Sequence, residues 1–568
     1  MDYKKLLSQS IAPSTGLGEN EVCEMIEIPP DSAMGDYALP CFKLAKTMRK
    51  APPLIAQELA KNAFPDFISK VEVAGGYLNF FMDKQRFAKA TLEGISEDYG
   101  SSNIGEGKTV VMDYSSINIA KPFHIGHLST TAIGNSLNRI YKLLGYKVVG
   151  VNHLGDWGTQ FGKLIVAYKL WGNDEQIERD SIHALLDLYV RFHEEAEKDD
   201  SLNEEGRRWF KKIEDGDQEA LRIFNWFKEL TLKEVGKVYD RLGVSFDSYA
   251  GESFYNDKMQ PVIDELKQKG LLEFSDGAYV VRMKLGEDKD GKDAVPPCIV
   301  LKSDGTSIYA TRDLAAAFYR KKTYDFYKCL YVVAYQQNLH FKQLFRVIEL
   351  MGYDWAKDMV HVNFGMVSLV DGTLSTRKGK VVFLEDVLNA AVAKTREIIE
   401  EKNPHLPDKD ETAEKIGVGA VVFSALTNSR IKDIVFDLNK VLNFDGETGP
   451  YVQYTHARAM SVLRKAANSY DDAFPDYSAL CMEQAFSVLK LIESFPEEIV
   501  RAHEKYEPSF ITRHIILLAQ AFNRFYYDIR VIDDDKRATA ARLKLTSAVA
   551  QVIKTGLYLI GVEAPDRM

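Results

Sequence analysis

A strand–helix–strand pattern in residues 109–152 limits the fold of this chain more than any other feature. TVVMD (109–113) is a short apolar run of the kind that forms buried parallel strands, and KVVGVN (147–152) is a second. Between them Pro122 can open a helix, and Gly145 stands where a glycine commonly follows one. Two such strands joined by a helix make a βαβ unit. The chain is therefore predicted to contain an α/β domain with a doubly wound, Rossmann-type parallel sheet.

The segments around this unit predict the other parts of the chain. Residues 172–245 have a charge-rich helical pattern, and 270–302 contain a hairpin pattern that turns at Ser-Asp-Gly; both are expected to be insertions into the sheet domain. LYVVAY (330–335) and VNFGM (362–366) are expected to continue the sheet. The predicted domains are a small α+β domain over 1–105, the parallel-sheet domain over 106–411 and an all-helical bundle over 412–568.

Composition excludes several classes of protein. The 72 Lys and Arg against 82 Asp and Glu give a net charge of −10, whereas a protein that coats nucleic acid indiscriminately is usually basic. Five scattered cysteines without a CxxC pair predict neither a disulfide framework nor a structural zinc site. The start MDYKKLLSQS lacks the apolar core of a signal peptide, and no window has the length of a membrane span. We expect a cytoplasmic protein without a membrane partner.

The tetrapeptide His124-Ile-Gly-His127 opens the helix of the βαβ unit and is the strongest chemical signal. Helix N-termini attract phosphate through free N–H groups, and two imidazoles three residues apart add donors there. Gly126 leaves room for a flat base beside the backbone. Three other interpretations remain open: histidines packed in the core, a zinc site that adds His153, and a dinucleotide site, which the absence of GxGxxG disfavours.

The strings around this tetrapeptide carry a family resemblance. They occur in one order along the chain: DYSSINIAKPFHIGHLSTTAIGN (113–135), VNHLGDWGTQFG (151–162), TSIYATRDLAAAFYR (306–320), YQQNLHFKQLF (335–345), SLVDGTLSTRKGKVVFLEDVL (368–388) and FDLNKVLNFDGETGPYVQYTHAR (436–458). Together they resemble the arginyl-tRNA synthetases, a class I aminoacyl-tRNA synthetase family. The first string is the most specific, since its SxNIAKPxHIGH pattern separates this family from other class I synthetases.

The resemblance implies a reaction and its partners. The carboxylate of L-arginine attacks the α-phosphate of ATP, which forms arginyl-adenylate and pyrophosphate, and the terminal adenosine 2′-hydroxyl of an arginine tRNA then takes the arginyl group. Magnesium is expected with ATP, adenylate formation is expected to need bound tRNA, and the chain is expected to be a monomer. The N-terminal domain is expected to contact tRNA, and the helical bundle to bind the anticodon. No step needs a protein nucleophile, so positioning and charge neutralisation carry catalysis.

The resemblance also implies the site residues. Catalytic roles fall to Lys121, His124, His127 and Lys378, and ATP binding to His124, Gly126, His127, Thr376 and Arg377. Arginine binding falls to Asp113, Ser116, Asn118, His127, Tyr309, Asp313 and Gln337. Contacts with tRNA fall to Tyr451, Tyr454, Arg458 and Met568, with His456 in the same row. Within these sets Asp313 is expected to bind the guanidinium, because a carboxylate matches its fork of donors, and Asn118 to bind the α-ammonium end.

One departure from the class I pattern concerns the lysine that contacts pyrophosphate. Many class I enzymes carry this lysine in a KMSKS loop, whereas the corresponding loop here is LSTRKG (374–379). Family members that lack the lysine commonly have one just before the HIGH tetrapeptide, as Lys121 is here. Lys121 is therefore the expected leaving-group contact, with Lys378 as the competing candidate.

Three alternative functions compete with arginine activation. Another class I synthetase is the nearest, although one specific for cysteine is expected to show zinc-ligand cysteines. Small nucleotidylyltransferases share HxGH, but their chains are far shorter and lack a helical tail. An RNA-binding relative without activity is the third alternative, and the intact set of Lys121, His124, His127 and Asp313 argues against it.

Overall fold

The computed structural model describes residues 3–286, 295–369, 382–467 and 473–568. Contacts within the chain define two compact units. The first consists of Met1–Tyr99, Arg458–Phe495 and Leu517–Val552, and the second of Gly100–Ala457, Pro496–Ile516 and Ile553–Met568.

Helices account for most of the described chain. They are α1 Tyr3–Ile11, α2 Glu19–Met25, α3 Ala45–Met48, α4 Pro52–Leu59, α5 Lys84–Glu93, α6 Leu128–Leu143, α7 Thr159–Trp171, α8 Asp174–Asp180, α9 Ile182–Ala196, α10 Ser201–Glu214, α11 Gln218–Leu242, α12 Met259–Gln268, α13 Tyr309–Tyr324, α14 Asn338–Leu350, α15 Leu384–Lys402, α16 Lys409–Leu426, α17 Leu438–Val441, α18 Gly449–Ala466, α19 Glu483–Lys505, α20 Ser509–Asp528 and α21 Lys536–Leu559. The predicted helical insertion corresponds to α8–α11, and the predicted helical C-terminal region to α16–α21.

The strands form small sheets. They are β1 Tyr37–Pro40, β2 Ile68–Ala74, β3 Tyr77–Met82, β4 Thr109–Asp113, β5 Lys147–Val151, β6 Glu273–Ser275, β7 Ala278–Val281, β8 Cys298–Lys302, β9 Lys328–Tyr331, β10 Met359–His361, β11 Val367–Leu369 and β12 Ile434–Phe436. In the first unit β1, β3 and β2 form an antiparallel sheet in that order. In the second unit β11 pairs in parallel with β12, and the antiparallel order β6-β7-β8 contains the predicted hairpin.

The central sheet of the second unit confirms the predicted Rossmann-type core. Its order is β10-β9-β4-β5, and every pair is parallel. Val110, Val111 and Met112 of β4 are completely buried, as expected for a parallel strand covered on both faces. The helix between β4 and β5 ends before Gly145, whose φ of +82° is the left-handed conformation that glycine adopts without strain.

Two strands of this sheet begin earlier than the sequence pattern predicts. The strand expected over 330–335 is β9, Lys328–Tyr331, and the strand expected over 362–366 is β10, Met359–His361. The apolar residues that follow them leave the ladder, although the Val332 N–H still donates to the Asp113 carbonyl at 2.8 Å. Apolar character extends past the strand ends because Val332, Val362 and Phe364 are buried there, and Val333 lines the cavity at the edge where parallel sheets bind ligands.

Candidate active site

The carboxyl ends of β4 and β5 open onto two neighbouring loops that shape the site. The loop after β4 holds three non-glycine residues with left-handed φ: Ser115 at 70°, Ser116 at 47° and Ala120 at 58°. Such conformations cost free energy and are retained where the surrounding structure enforces them, commonly at functional sites. Here the Ala120 N–H donates to Thr231 Oγ1 at 3.0 Å, one of the bonds that enforce this loop geometry.

The loop after β5 fits tightly against the loop after β4. The Ile119 N–H donates to the Gly155 carbonyl at 3.1 Å, and the Gly155 N–H donates to the Ile117 carbonyl at 2.8 Å. A Cβ atom on Gly155 would lie 2.4 Å from Asn118 Oδ1, so only glycine leaves room for this asparagine. These contacts fix where the Asn118 amide can point.

The two histidines of the HIGH tetrapeptide lie in a tight turn rather than inside the α-helix. His124 has an extended backbone, a 3₁₀ turn covers Ile125–His127, and α6 begins at Leu128. The His124 Nδ1 accepts from the Gly126 N–H at 3.0 Å, and the His127 Nδ1 accepts from the His124 N–H at 3.2 Å. With Nδ1 accepting in both rings, each neutral imidazole carries its proton on Nε2 and presents that N–H as a donor.

Electrostatics keep both imidazoles neutral near physiological pH. Burial, with smaller contributions from His124 and Lys121, lowers the pKa of His127 to about 3. Burial and the Lys121 ammonium likewise lower the pKa of His124. The predicted Lys121 is thus near both rings and is the nearby cation at this end of the site.

The chain that follows residues 370–381 pairs with the turn formed by residues 124–127, which we call the HIGH turn. His124 pairs with Phe383, the Ile125 N–H donates to the Val382 carbonyl at 3.2 Å, and the Leu384 N–H donates to the Phe123 carbonyl at 2.9 Å. Three residues predicted for ATP or pyrophosphate, namely Thr376, Arg377 and Lys378, lie outside the described residues.

A cavity of about 540 Å³ opens beside these loops and gathers most of the residues predicted to bind arginine. Those lining it are Asp113, Ser116, Asn118, Tyr309, Asp313 and Gln337. His127 is not among the lining residues, and its ring belongs to the HIGH turn. The cavity therefore joins residues that are about 220 positions apart in the sequence.

Asp313 lies between two imidazoles in this cavity. Its Oδ2 accepts from His340 Nε2 at 2.7 Å, and its Oδ1 lies 3.7 Å from His153 Nε2. Burial opposes ionisation, but His340, His153 and Arg320 together lower the pKa of Asp313 below its ordinary range. Asp313 is consequently an anion held in place before any ligand arrives. Tyr309, 55% exposed, lies over the His340 ring at a centroid distance of 5.0 Å.

Asp113 forms a second fixed anion in the cavity. The Ser116 hydroxyl donates to its Oδ1 at 2.6 Å, and Arg320 Nη2 donates to its Oδ2 at 2.7 Å. Burial disfavours the charge on Arg320, yet Asp113 raises the pKa of this guanidinium well above its usual value. The pair is therefore a true ion pair, with Arg320 only 1% exposed.

Sequence reasoning missed two charged residues of the cavity, Arg320 and Glu252. Arg320 follows Asp313 by seven residues on α13, and this two-turn spacing on one helix face was a signal that could have identified it. Glu252 is the first residue of a 3₁₀ helix over Glu252–Lys258 and belongs to no motif; its Oε2 lies 3.3 Å from Arg312 Nε. Burial raises the pKa of Glu252 to about 7, and Asp313 adds to this rise, against the opposing effect of Arg312.

The residues predicted to contact tRNA differ in accessibility. Tyr454 of α18 is 41% exposed and Tyr451 is half-buried, whereas His456 is buried with its Nε2 3.3 Å from Asp566 Oδ1. Arg458 bonds Asn523 Oδ1, and its guanidinium lies 5.4 Å from the ring centre of Tyr526. His456 is therefore not accessible in the way that Tyr454 is, although the sequence places both in one row.

The C-terminal residue Met568 packs on the second unit. Its side chain contacts the cluster of Ile399, Leu406, Ala413 and Ile416, and its carbonyl accepts from Asn403 Nδ2 at 3.2 Å. Met568, which is predicted to contact tRNA, is thus held in place by these contacts.

The described residues contain no group of three or more His, Cys, Asp or Glu side chains placed to hold a metal ion. No helix among them is both long and apolar enough to cross a membrane.

Comparison with protein families finds three matches that follow one another along the chain. Residues 1–82 match the arginyl tRNA synthetase N terminal domain, residues 93–438 match the catalytic domain of the class I tRNA synthetases (R), and residues 452–568 match the DALR anticodon binding domain.

Individual proteins with end-to-end similarity give the same result. The arginine–tRNA ligases of Alkaliphilus metalliredigens and Clostridium perfringens are each 54% identical to this chain, with all of both sequences covered. The arginyl-tRNA synthetase structure from Thermus thermophilus superposes with a TM-score of 0.83 at 26% identity, covering all of both chains. The Plasmodium falciparum structure, at 22% identity and a TM-score of 0.80, covers this chain fully and 98% of its own, and supports the fold.

Proposed function

The chain belongs to the arginyl-tRNA synthetase family, and from this premise we propose how its residues share the work of charging tRNA with arginine. As an arginine–tRNA ligase it activates L-arginine with ATP and transfers the arginyl group to the terminal adenosine 2′-hydroxyl of arginine tRNA. Neither step uses a protein nucleophile, so the cavity and the HIGH turn contribute by positioning substrates and by stabilising charge.

The guanidinium of arginine is bound by two carboxylates in the cavity. Asp313 is the first, because it is ionised, fixed by His340 and reached through the cavity that Tyr309 helps to line. Glu252 is the second, since it lines the same cavity and lies near enough to Asp313 for that carboxylate to raise the pKa of Glu252. Because a guanidinium offers a planar fork of donors, two acceptors on one side bind it better than one.

The α-ammonium and carboxylate end of arginine lies toward the β4 loop. Asp113 offers the ammonium a fixed negative charge, and Ser116, Asn118 and Gln337 add neutral polar groups around it. The strained loop and the close approach of Gly155 place the Asn118 amide against the loop after β5. This arrangement sets the substrate carboxylate for in-line attack on the α-phosphate of ATP.

The phosphates of ATP bind at the HIGH turn. His124 and His127 act as neutral donors through Nε2, and Gly126 leaves space for the nucleotide beside the backbone. Lys121 neutralises the charge that grows on pyrophosphate, with Lys378, Thr376 and Arg377 of the 374–379 loop as further ATP contacts. Magnesium enters with ATP as the magnesium complex of the nucleotide.

The helical region binds the anticodon arm of tRNA through α18. Tyr451 and Tyr454 supply aromatic faces on which unpaired bases can stack, and Arg458 and Met568 are further contacts. Tyr454→Ala is expected to raise the KM for tRNA several-fold, because base stacking contributes about 1–3 kcal/mol per base, while the KM values for arginine and ATP stay unchanged. Loss of the folded state in this variant would show that Tyr454 is a core residue instead.

The proposal also assigns a role to each domain of the chain. The domains are 1–105, which contacts tRNA, 106–411, which performs catalysis, and 412–568, which binds the anticodon. The protein is expected to act as a monomer in the cytoplasm, where tRNA charging serves translation.

The observation that carries this proposal is the convergence of Asp113, Asn118, Tyr309, Asp313 and Gln337 on one cavity beside the HIGH turn. ATP–pyrophosphate exchange, measured with each amino acid in turn and with or without tRNA, tests it directly. Exchange is expected with arginine alone among the amino acids, and only when tRNA is present. Exchange supported equally by another amino acid would overturn the substrate assignment, and full exchange without tRNA would overturn the tRNA requirement.

A further inference from the structure

A line of polar side chains connects the two fixed carboxylates of the arginine cavity. Asp113 belongs to β4 and Asp313 to α13, and the side chains between them come from α13 and from the loop after β5. In order, the members of this line are Ser116, Asp113, Arg320, His153, Asp313 and His340.

The donor and acceptor roles along this line follow from which of its nitrogens can carry a proton. Arg320 has donors only, so its Nη2, 3.4 Å from His153 Nδ1, requires that nitrogen to accept. The His153 ring proton must then lie on Nε2, which faces Asp313 Oδ1 at 3.7 Å. One imidazole therefore contacts the Asp113–Arg320 pair through one nitrogen and Asp313 through the other.

The surroundings make this link effective. The exposed fractions of the side chains are 1% for Arg320, 7% for Asp113 and 15% for His153, so water screens the charges of Arg320 and Asp113 weakly and has little access to the imidazole. The ring of His153 also contacts Tyr255, with centroids 5.6 Å apart, and Tyr255 is 1% exposed. Because the His153 ring packs against the buried Tyr255, it has little room to shift. A movement of either Asp113 or Asp313 is therefore passed to the other carboxylate through His153.

We propose that His153 is a specificity-determining residue, which joins the two carboxylates and thereby sets the length of the side chain that the cavity accepts. The inference rests on the proposed function, in which Asp113 binds near the α-ammonium and Asp313 binds the guanidinium. An amino acid one methylene longer or shorter than arginine can satisfy both ends only if the carboxylates move relative to each other. His153 resists that movement because it contacts both halves of the line.

Two substitutions cut the link on opposite sides. In His153→Asn the amide oxygen stands near the position of Nδ1 and can still accept from Arg320, but nothing reaches Asp313. In His153→Gln the longer amide stands near the position of Nε2 and can still face Asp313, but the acceptor for Arg320 is lost. The matched control is His361→Gln, since His361 is another partly buried histidine of this sheet whose Nε2 donates to the Val333 carbonyl at 2.9 Å.

The experiment measures equilibrium binding of arginine, homoarginine and 2-amino-4-guanidinobutyrate to the full-length protein by calorimetry. A one-methylene mismatch in a fitted pocket typically costs about 10- to 200-fold in affinity, and the unmodified protein is expected to show such ratios. Both His153 variants are expected to lower the ratios at least about fivefold, while His361→Gln keeps them. Thermal unfolding identifies any variant that is not folded, in which case the other His153 variant decides.

Three outcomes separate the inference from its premise. Folded His153 variants with ratios within about twofold of the unmodified protein overturn the inference. When both variants are folded, a fall in only one of them also overturns the inference, because His153 would then serve only one of its two partners. Asp313→Asn and Asp113→Asn are each expected to weaken arginine binding at least about tenfold. If neither does so, the proposed function fails, whatever the His153 variants show.

Discussion

The two ends of the active site handle charge in different ways. The arginine cavity contains anions that are already paired and oriented, as Asp313 is by His340 and Asp113 is by Arg320. The HIGH turn contains neutral imidazoles whose Nδ1 atoms are occupied by backbone N–H groups, with Lys121 as a nearby cation. On the assignment proposed above, the cavity would meet a cationic substrate with fixed negative charge, and the turn would meet an anionic substrate mainly with neutral donors.

This difference fits what each end has to accomplish. The guanidinium keeps its charge throughout the reaction, so a preformed anion binds it equally well before and during the chemical step. Charge on the phosphates redistributes as pyrophosphate leaves, so the cation that matters is the one that interacts more strongly with the transition state. Substitutions in the cavity should therefore change mainly the arginine KM, and substitutions beside the turn should change mainly kcat.

The largest expected effect is that of Asp313→Ala on the arginine KM. Removing one partner of a buried, charged contact typically costs about 2–5 kcal/mol, roughly 30- to 4,000-fold, while the ATP KM should change little. Steady-state exchange at varied arginine measures this effect. Asp325→Asn is the matched control, because Asp325 follows the last turn of the same helix and its side chain is 91% exposed. An arginine KM within about twofold of the unmodified enzyme would refute the assignment of Asp313.

The next largest effect concerns Lys121 and tests the opposite end. Lys121→Ala is expected to lower kcat for exchange about 10²- to 10³-fold with little change in the arginine KM, because it removes a cation from the leaving pyrophosphate. Lys121→Arg should recover only part of the loss, since a planar fork replaces a compact charge. Lys142→Ala, at the far end of α6, is the control. A severe Lys378→Ala with a mild Lys121→Ala would assign the leaving-group contact to the 374–379 loop instead.

The same two ends show what the sequence could predict. The HIGH turn is local, and residues 121–127 with the flanking strands carry the family resemblance that predicts Lys121, His124 and His127 as a phosphate-end set. The arginine cavity depends on contacts across the fold, such as the Asp113–Arg320 pair, whose partners are 207 residues apart. Motif matching predicted Asp313 but could not predict Glu252, because a lone acid at the start of a short 3₁₀ helix has no periodicity or spacing that marks it.

Details of backbone geometry were also beyond the sequence pattern. A proline at position 122 predicted a helix opening, whereas the chain stays extended through His124 because it pairs with Phe383, about 260 residues later. Apolar runs predicted the strands β9 and β10 but placed them two or three residues too far along, since burial beside the cavity has the same signature as burial in the sheet. Local pattern identifies an element, while long-range pairing sets its ends.

A smaller effect, about tenfold, is expected when pH is varied at the arginine end. With its pKa raised to about 7, Glu252 of the ligand-free enzyme is mostly ionised at pH 8 and mostly protonated at pH 6. A bound guanidinium favours the ionised carboxylate, so binding at pH 6 must release a proton, and the arginine KM should rise roughly tenfold from pH 8 to pH 6. Glu252→Gln should raise the KM at pH 8 and flatten the profile. An equally steep profile in this variant would place the titrating group elsewhere.

The smallest expected effect is at the ATP end, where the same change of pH should leave the ATP KM within about twofold. The pKa of His127 is lowered to about 3 and that of His124 is lowered as well, so neither ring gains a proton between pH 8 and pH 6. Their Nδ1 atoms accept backbone N–H groups, so a second proton could enter only by breaking the turn. The measurement uses saturating arginine, which removes the contribution of Glu252, and excess magnesium, which keeps ATP in one form. An ATP KM that falls more than about threefold at pH 6 would mean that the histidines bind phosphate as cations, and the contrast between the two ends would be lost.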